Sequence, residues 1–188
     1  MKMSGREAVR LLAGAGVGER QARQVLAAGL AGVPQRVTGA LLYDDALVGK
    51  LVRAPYVDEA ETACPWGLFV ARRHVDVGRP EDQRLASLAS GWGLSTWTAL
   101  RIRVLVAEHG HVPMVATVGG FVTTGAEIIG VQRAGPDEYH LTLQGPDGWF
   151  EVFRGRRFPT GPGRPWVLRG GRVGDLTTSS PAAPQESA

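Results

Sequence analysis

The sequence predicts an α+β fold with a small helical N-terminal part, a β-rich C-terminal domain and a disordered tail. Apolar residues recur with the helical period up to about residue 53 and then shift towards period two. A proline and acidic residues interrupt the pattern between the two parts, and small polar residues with prolines end the chain. We therefore predict a head over 1–53, a linker over 54–65, a β-rich domain over 66–176 and a disordered tail over 177–188.

Composition excludes several classes of protein. The chain has 188 residues, of which 44% are hydrophobic and 21% charged, so it can form one or two small cores. Its single cysteine, Cys64, cannot form an internal disulfide or a thiolate zinc site. No apolar run approaches the roughly 20 residues of a membrane helix, and charged residues interrupt the first 18 residues, where a secretory peptide is apolar. We expect a cytoplasmic protein without a membrane partner.

The sequence of the head predicts three helices and a hairpin in a fixed order. Ser4 with Glu7 three residues later is typical of a helix start, and a first helix is expected over 6–13. A second helix is expected over 19–28, with Gly29 ending it. A turn at Thr38-Gly39 indicates a hairpin within 32–42. Asp44 is the expected cap of a third helix that runs to Val52.

The larger part is rich in β-branched and aromatic residues, and Gly, Pro and Asp divide it into short segments. One helix is expected after Pro80, ending near Gly91. The segment 95–109 is ambiguous, because alternation around Ile102 favours a strand whereas Ser95 and Gly110 would suit the ends of a helix; we favour the strand. The expected strands are 68–77, 100–106, 115–122, 128–132, 139–143 and 149–153.

Positive charge is concentrated in the head. The chain carries 19 Arg but only Lys2 and Lys50, with a net charge of +3. Residues 1–53 hold eight Lys or Arg against four Asp or Glu, a net charge of +4. An electrostatic partner is therefore expected at this end of the chain.

The order helix, glycine-containing turn, helix, hairpin, helix suits DNA, because a rigid second helix can enter the major groove. The segments that carry a resemblance are Glu7 to Leu12, Val17 to Leu26, Gly29-Leu30 and Leu42-Tyr43-Asp44. In this order they resemble the winged helix-turn-helix of the excisionase and MerR-like families. The resemblance covers the first 53 residues and implies that the second helix is a recognition helix and the hairpin a wing.

Helical periodicity predicts which side chains of the second helix face outward. Ala22, Val25 and Leu26 form its apolar face. The opposite face carries Arg and Gln, which can hydrogen-bond guanine and adenine in the major groove. Arg36 would be the contact of the wing, and Lys2 could reach a phosphate from the start of the chain. The predicted DNA-binding residues are Arg20, Gln21, Arg23, Gln24, Arg36 and Lys2.

The β-rich part offers no comparable set of catalytic residues. His109-Gly-His111 provides two imidazoles but no third ligand, which argues against a metal site. Neither Ser90 nor Ser95 lies in the Gly-x-Ser-x-Gly context of a hydrolase nucleophile. Glycine-rich segments lack the Lys-Ser/Thr of a phosphate loop. We expect no enzyme activity, no cofactor and no metal.

The sequence therefore predicts a sequence-specific DNA-binding protein, with transcriptional regulation as its expected role. The C-terminal domain would serve dimerisation, ligand sensing or partner contact, and a homodimer is one expected arrangement because a single head of this size usually needs a second contact for specificity. Three alternatives stay open. One is an excisionase-like architectural factor of a mobile element, and another is a protein-interaction or scaffolding module whose head contacts protein. The third is an enzyme that acts through the β-rich domain, for which the sequence nominates no residues.

Overall fold

The computed structural model describes residues 1–62, 66–159 and 163–171, and the predicted disordered tail lies outside these ranges. The fold is mixed α+β, with six helices and eight strands in the described residues. No helix in the described part of the chain combines the length and the apolar character needed to cross a bilayer.

The head contains a three-stranded antiparallel sheet and three helices. The strand order is β1-β3-β2, with β1 paired to β3 from Lys2 to Ser4. Strand β1 was not predicted, because three residues are too few to show a period. The elements of the head are β1 Lys2–Ser4, α1 Gly5–Gly14, α2 Glu19–Ala27, β2 Gln35–Val37, β3 Ala40–Asp44 and α3 Asp45–Val52.

Local chemistry explains where these elements begin and turn. The Ser4 hydroxyl accepts a hydrogen bond from the Glu7 N–H at 3.2 Å, and Asp44 Oδ1 accepts one from the Ala46 N–H at 3.0 Å. These side chains satisfy N–H groups that the first turn of a helix leaves without a partner. Thr38 and Gly39 both have positive φ, at 45° and 81°, which matches the two-residue turn of a hairpin. The predicted caps and hairpin are confirmed.

The larger part is built on a five-stranded sheet of order β7-β6-β5-β4-β8. The β4–β5 pair is parallel and every other neighbouring pair is antiparallel. Helices α5 and α6 make the crossover between β4 and β5. The elements after the head are α4 Glu59–Thr62, β4 Leu68–Arg72, α5 Glu81–Ala89, α6 Thr96–His109, β5 Val112–Val118, β6 Phe121–Arg133, β7 Tyr139–Gln144, a 3₁₀ helix Gly148–Phe153 and β8 Trp166–Arg169.

Both faces of the five-stranded sheet are covered by apolar side chains. On one face α5 and α6 pack their buried residues, among them Leu88 and Ile102, against the sheet around Phe69. On the other face Phe150 and Phe153 of the 3₁₀ helix pack with Leu68 and Val70 of β4 and Val115 of β5. The first four residues of β4 are apolar and buried. Because successive side chains of a strand point to opposite faces, β4 presents apolar side chains to both faces of the sheet.

The head rests on the turn between β5 and β6. Val118 and Phe121, which flank this turn, belong to the same buried cluster as the core of the head. At Gly119 a Cβ atom would lie 2.8 Å from Val25 Cγ2 of α2, so only glycine allows this approach. The Val77 N–H also donates to the Ala28 carbonyl at 3.0 Å. The two parts thus share a buried core.

The described part of the predicted linker lies against the body of the protein. Ala54 and Val57 are buried, the first with the core of the head and the second on the sheet. The Val57 N–H donates to the Arg157 carbonyl at 2.9 Å, and the Arg157 N–H donates to the Pro55 carbonyl at the same distance. Residues 63–65 lie outside the described ranges.

The predicted strand within 95–109 is wrong, because this segment is helix α6. The Ser95 hydroxyl accepts from the Thr98 N–H at 3.1 Å, and Gly110, at φ 83°, follows the last turn. Ala99, Ile102 and Leu105 are buried at helical spacing, whereas Leu100 is 47% exposed. The alternation of apolar residues and arginines here was coincidental, because the residues that pack on the sheet follow the helical spacing and both ends of the segment carry helix caps.

Two further strand predictions need correction. Residues 115–122 form the end of β5, a turn at Gly119-Gly120 and the start of β6, because both glycines adopt positive φ, at 57° and 89°. Residues 149–153 belong to a 3₁₀ helix, in which Phe150 and Phe153 point to one core three residues apart. Asp147 caps it by accepting a hydrogen bond from the Gly148 N–H at 2.7 Å.

Candidate nucleic-acid interface

Helices α1 and α2 are joined by a four-residue turn, Ala15 to Gly18. Gly16 has φ 82°, and Val17 is buried in the core of the head. The turn therefore fixes α2 against α1 through Val17, and Ala22, Val25 and Leu26 bury the inner face of α2 as the sequence predicts. The opposite face of α2 lies at the surface.

The four predicted reading residues of α2 are spread over this outer face. Arg20, Arg23 and Gln24 are exposed and Gln21 is half-buried. Arg20 makes no ion pair or hydrogen bond with any residue that the structure describes. Its guanidinium group is therefore available to an external acceptor.

Arg23 is held by a neighbour on the same helix. Its Nη2 lies 3.1 Å from Glu19 Oε2, and about 70% of each side chain is exposed. An exposed pair one helical turn apart contributes only about 0.3–0.5 kcal/mol. Arg23 can leave this contact at little cost when a phosphate competes for it.

The structure separates Arg36 from Lys2. Arg36 stands opposite Leu41 and Lys2 stands opposite Asp44, so the alternation of side chains along β3 places them on opposite faces of the small sheet. Arg36 shares its face with Leu41 and Tyr43, which line a groove beside α2 that Arg23 also lines. Arg36 and Arg23 thus lie towards the same side of the head, and Lys2 does not join them.

Lys2 is engaged by an acid that also caps a helix. Its Nζ lies 3.4 Å from Asp44 Oδ2. The hydrogen bond from the Leu47 N–H, followed by those from Ala46 and Lys2, lowers the pKa of the Asp44 carboxyl below its ordinary value, while burial opposes the shift. Asp44 therefore stays charged at neutral pH and pairs with Lys2 on the face of the small sheet that points away from Arg36.

Two arginines that the sequence argument passed over lie beside α2. Arg6 and Arg10 are exposed residues of α1, and both line the groove bounded by α1, α2 and the hairpin. Neither makes an ion pair with a residue in the described ranges. Their i, i+4 spacing on α1 was the signal that could have placed them on one face.

This groove, which we call the apolar groove, measures about 1050 Å³ and is lined by Val9, Leu26, Val33, Leu41 and Val77 among others. Val33 is 93% exposed, which is unusual for a large apolar side chain. Three arginines, Arg6, Arg10 and Arg23, line the groove beside these apolar walls. Two carboxylates, Glu19 and Asp76, line it as well, so the groove combines apolar surface with charges of both signs.

On its other side α2 borders a smaller cavity at the end of the five-stranded sheet where β4 and β5 finish. Gln21 and Gln24 line it together with Arg72, Arg73, His74 and Arg169. The cavity, which we call the basic cleft, measures about 180 Å³. Two of the four residues predicted to read DNA, Gln21 and Gln24, therefore line a cleft whose other residues come from the β-rich part. Helical periodicity alone could not predict this cleft.

His74 lines the basic cleft, whereas His109 and His111 line neither the cleft nor the apolar groove. His109 ends α6 and its Nε2 lies 3.8 Å from Glu108, whereas His111 Nε2 lies 3.7 Å from Glu127. Among the described residues no group of three or more His, Cys, Asp or Glu side chains could hold a metal ion.

Glu127 is a buried carboxylate with a set of donors around it. Burial raises its pKa, but hydrogen bonds from Gln144 Nε2, Trp149 Nε1 and the Asp147 N–H, together with His111, lower the pKa below its ordinary value. The three hydrogen bonds measure 2.7, 2.8 and 3.2 Å. This network ties β6 to the end of β7 and to the 3₁₀ helix, which is a structural role.

Comparison with known proteins gives no relative. No protein-family model, curated protein or solved structure matches the chain.

Proposed function

We propose that the chain is a sequence-specific DNA-binding protein that reads duplex DNA with the outer face of α2. In this proposal the head is a winged helix-turn-helix, α2 enters the major groove and the β2–β3 hairpin is the wing. The observation that carries the proposal is the availability of the α2 face: Arg20 and Gln24 are exposed and make no hydrogen bond or ion pair with a described residue.

The charge distribution supports this proposal. Arg6 and Arg10 on α1 and Arg36 on the hairpin are exposed basic residues on the elements that flank α2. In a helix-turn-helix complex the first helix crosses the DNA backbone, so arginines on α1 would contact phosphates while α2 contacts base edges. Transcriptional regulation is the role we propose, and an architectural role on mobile DNA would use the same surface.

The test is selection of bound fragments from sheared host DNA by the full chain at near-physiological salt. The matched protein carries Arg20→Ala with Arg23→Ala, both at exposed helix positions, so the fold is expected to remain intact. A defined motif that the parent enriches and the double variant loses would support the proposal. Promoter positions of the motif would indicate regulation, and attachment-site positions with bending of the DNA would indicate an architectural factor.

A second candidate function is protein binding by the head, and the apolar groove favours it. Val33 and Leu41 expose apolar surface beside α1 and α2, where a partner could bury it. Salt distinguishes the two functions, because phosphate contacts weaken steeply as salt rises and apolar contacts do not. Absence of any enriched DNA, with a partner whose binding resists salt, would favour protein binding.

A further inference from the structure

Strand β8 lies at one edge of the five-stranded sheet, and β4 is its only strand neighbour in the described residues. Val167 stands opposite Val70 in this antiparallel pair. Two positions away, the Arg72 N–H donates to the Pro165 carbonyl at 2.7 Å. Because hydrogen-bonded positions alternate along an antiparallel pair, Val167 and Arg169 also point their backbone polar groups to β4.

The intervening residues of β8, Trp166 and Leu168, point their backbone polar groups away from the sheet. The N–H and C=O of these two residues make no hydrogen bond with the described part of the chain. Strand β8 therefore has two donors and two acceptors along its free edge. An edge with unpaired groups is a site where a further strand can be added.

A groove of about 340 Å³ lies between this free edge and the first turns of α6. We call it the edge groove. It is lined by Trp97 and Arg101 of α6, by Arg164, and by Trp166 and Leu168 of β8, among others. Trp97 is 70% exposed, whereas tryptophan is on average a highly buried residue. An extended segment in the groove would contact both the backbone of β8 and the ring of Trp97.

The edge groove is positively charged. Arg164 is exposed and forms no ion pair within the described ranges, and its guanidinium carbon lies 5.7 Å from the ring centroid of Trp166. Arg101 donates to the carbonyls of Gly170 and Gly171, which do not neutralise its charge. No Asp or Glu of the described chain lines the groove. A segment that carries carboxylates is therefore complementary to it.

A second copy of the chain is a poorer match for this edge. Residues 163–171 contain two arginines, Arg164 and Arg169, and no Asp or Glu. Pairing of two β8 strands would bring like charges together without adding a carboxylate. The charge of the groove thus favours a different, acidic partner.

We propose that the edge groove binds an extended acidic peptide segment of a partner protein, which adds a strand to β8. Trp166 and Leu168 would hold the backbone of the segment, and Arg164 would pair with one of its carboxylates. An apolar side chain of the segment would cover Trp97. This site goes beyond the proposed function, because it lies on the β-rich part and uses no residue of α2.

The test is selection of peptides by the full chain from a library of random heptapeptides, followed by hydrogen exchange of the backbone amides. We expect acidic peptides to be enriched. A selected peptide should slow exchange of the Trp166 and Leu168 N–H groups at least about tenfold, because strand addition pairs them. Exchange of the Val167 N–H, which points to β4, should change little.

Arg164→Glu tests the charged contact. It reverses the charge at an exposed position and should weaken binding of a selected peptide at least about tenfold. Arg20→Glu is the matched control, because Arg20 is also exposed and without an ion pair among the described residues, but lies outside the groove. It should bind the peptide like the parent.

Trp97→Ala is the second variant, in case Arg164→Glu fails to fold. It truncates a side chain that is 70% exposed and should weaken peptide binding several-fold. Val152→Ala, at a 51% exposed position outside the groove, should bind like the parent.

Methylation of backbone nitrogens in a selected peptide tests strand addition itself. Along an added strand only alternate N–H groups face β8. Methyl groups on that set of residues should abolish binding, and methyl groups on the intervening set should be tolerated.

The proposal is overturned if no acidic peptide is enriched, if the folded Arg164→Glu and Trp97→Ala variants bind like the parent, or if both methylated sets bind equally. Slow exchange of Trp166 and Leu168 in the free chain would overturn it too. Slowing that depends on protein concentration would place a second copy on the edge, and slowing that does not would place a segment of the same chain there.

The same variants keep this proposal distinct from DNA binding. Arg20→Glu should lose affinity for duplex DNA and keep the peptide, whereas Arg164→Glu should lose the peptide and keep DNA. A parent chain that selects acidic peptides but binds no DNA would refute the proposed function and leave the edge groove assignment intact.

Discussion

At the scale of single residues, the Glu19–Arg23 pair sets how much of the positive charge of α2 is available. Glu19 lies in the first turn of α2, 3.1 Å from Arg23, and both side chains are about 70% exposed. Its carboxylate opposes the approach of phosphates while it restrains the arginine only weakly.

Glu19→Gln should therefore raise affinity for duplex DNA several-fold at low salt, and the gain should shrink as salt is added. Fluorescence anisotropy with a labelled duplex measures this effect. Glu151→Gln is the matched control, because Glu151 forms an exposed pair with Arg154 on the 3₁₀ helix side of the molecule. An equal gain in both variants would mean that net charge alone, rather than the α2 surface, determines DNA affinity.

The buried Glu127 carboxylate should make the free energy of unfolding depend on pH. Because the folded state lowers the pKa of Glu127 below its ordinary value of 4.5, its contribution is present above that pH and is lost as pH falls through the lower folded value. Glu127→Gln should cost about 1–3 kcal/mol at neutral pH, since it disturbs three hydrogen bonds to a charged acceptor.

Urea unfolding at neutral pH and near pH 3 measures both effects. The free energy of unfolding of the parent should fall more between these two pH values than that of Glu127→Gln. Equal losses in the two proteins would show that Glu127 does not contribute to acid sensitivity.

At the scale of elements, the β5–β6 turn is the contact that seats α2 on the sheet. Gly119 has φ 57°, and a Cβ there would lie 2.8 Å from Val25 Cγ2 and 3.3 Å from the Gln21 carbonyl oxygen. Gly16 also has positive φ, but a Cβ there meets no atom within 4 Å. Alanine at Gly16 would therefore introduce backbone strain alone, whereas alanine at Gly119 would introduce both backbone strain and a clash with α2.

Gly16→Ala should cost about 1–2 kcal/mol, from the left-handed conformation alone. Gly119→Ala should cost a further 1–3 kcal/mol or so, because the overpacked contact forces α2 away from the turn. Chemical denaturation of both variants measures the difference. Equal costs would contradict the close approach of the turn to α2.

The same elements explain what a sequence can and cannot predict. Ser4, Asp44 and the Thr38-Gly39 turn act on neighbours within three residues, so local chemistry was enough to predict the helix starts and the hairpin of the head. Helix α6 was missed because chance alternation around Ile102 imitated a strand, while its burial depends on a sheet formed by distant residues. Non-local packing decides between the two periods, and a single sequence does not contain it.

At the scale of the whole molecule, the head and the sheet share one buried cluster through Val118 and Phe121. Arg157 adds a second tie, since its Nη1 donates to the Ala15 carbonyl in the turn between α1 and α2 at 2.9 Å, and its guanidinium stacks on Tyr56 at 4.1 Å. The sheet thereby fixes the orientation of α2.

This shared core also explains which parts of the candidate site the sequence could predict. Helical periodicity was sufficient to predict that the side chains of Arg20, Arg23 and Gln24 are exposed. It could not show that Gln21 and Gln24 border a cleft whose other wall is Arg72 and Arg169, because those residues lie about 50 and 145 positions further along the chain.

DNA binding by α2 should make the affinity for duplex DNA fall steeply as salt is added. Anisotropy over a salt series should give a log–log slope that reflects phosphate contacts, at about −0.9 for each one. Arg20→Ala with Arg23→Ala should weaken binding at least about tenfold and flatten the slope, because two cations leave the interface. Arg79→Ala with Arg154→Ala, which removes the same charge from exposed sites elsewhere, should bind like the parent. No binding by the parent at low salt, or equal binding by the parent and the Arg20/Arg23 variant, would contradict DNA binding by α2.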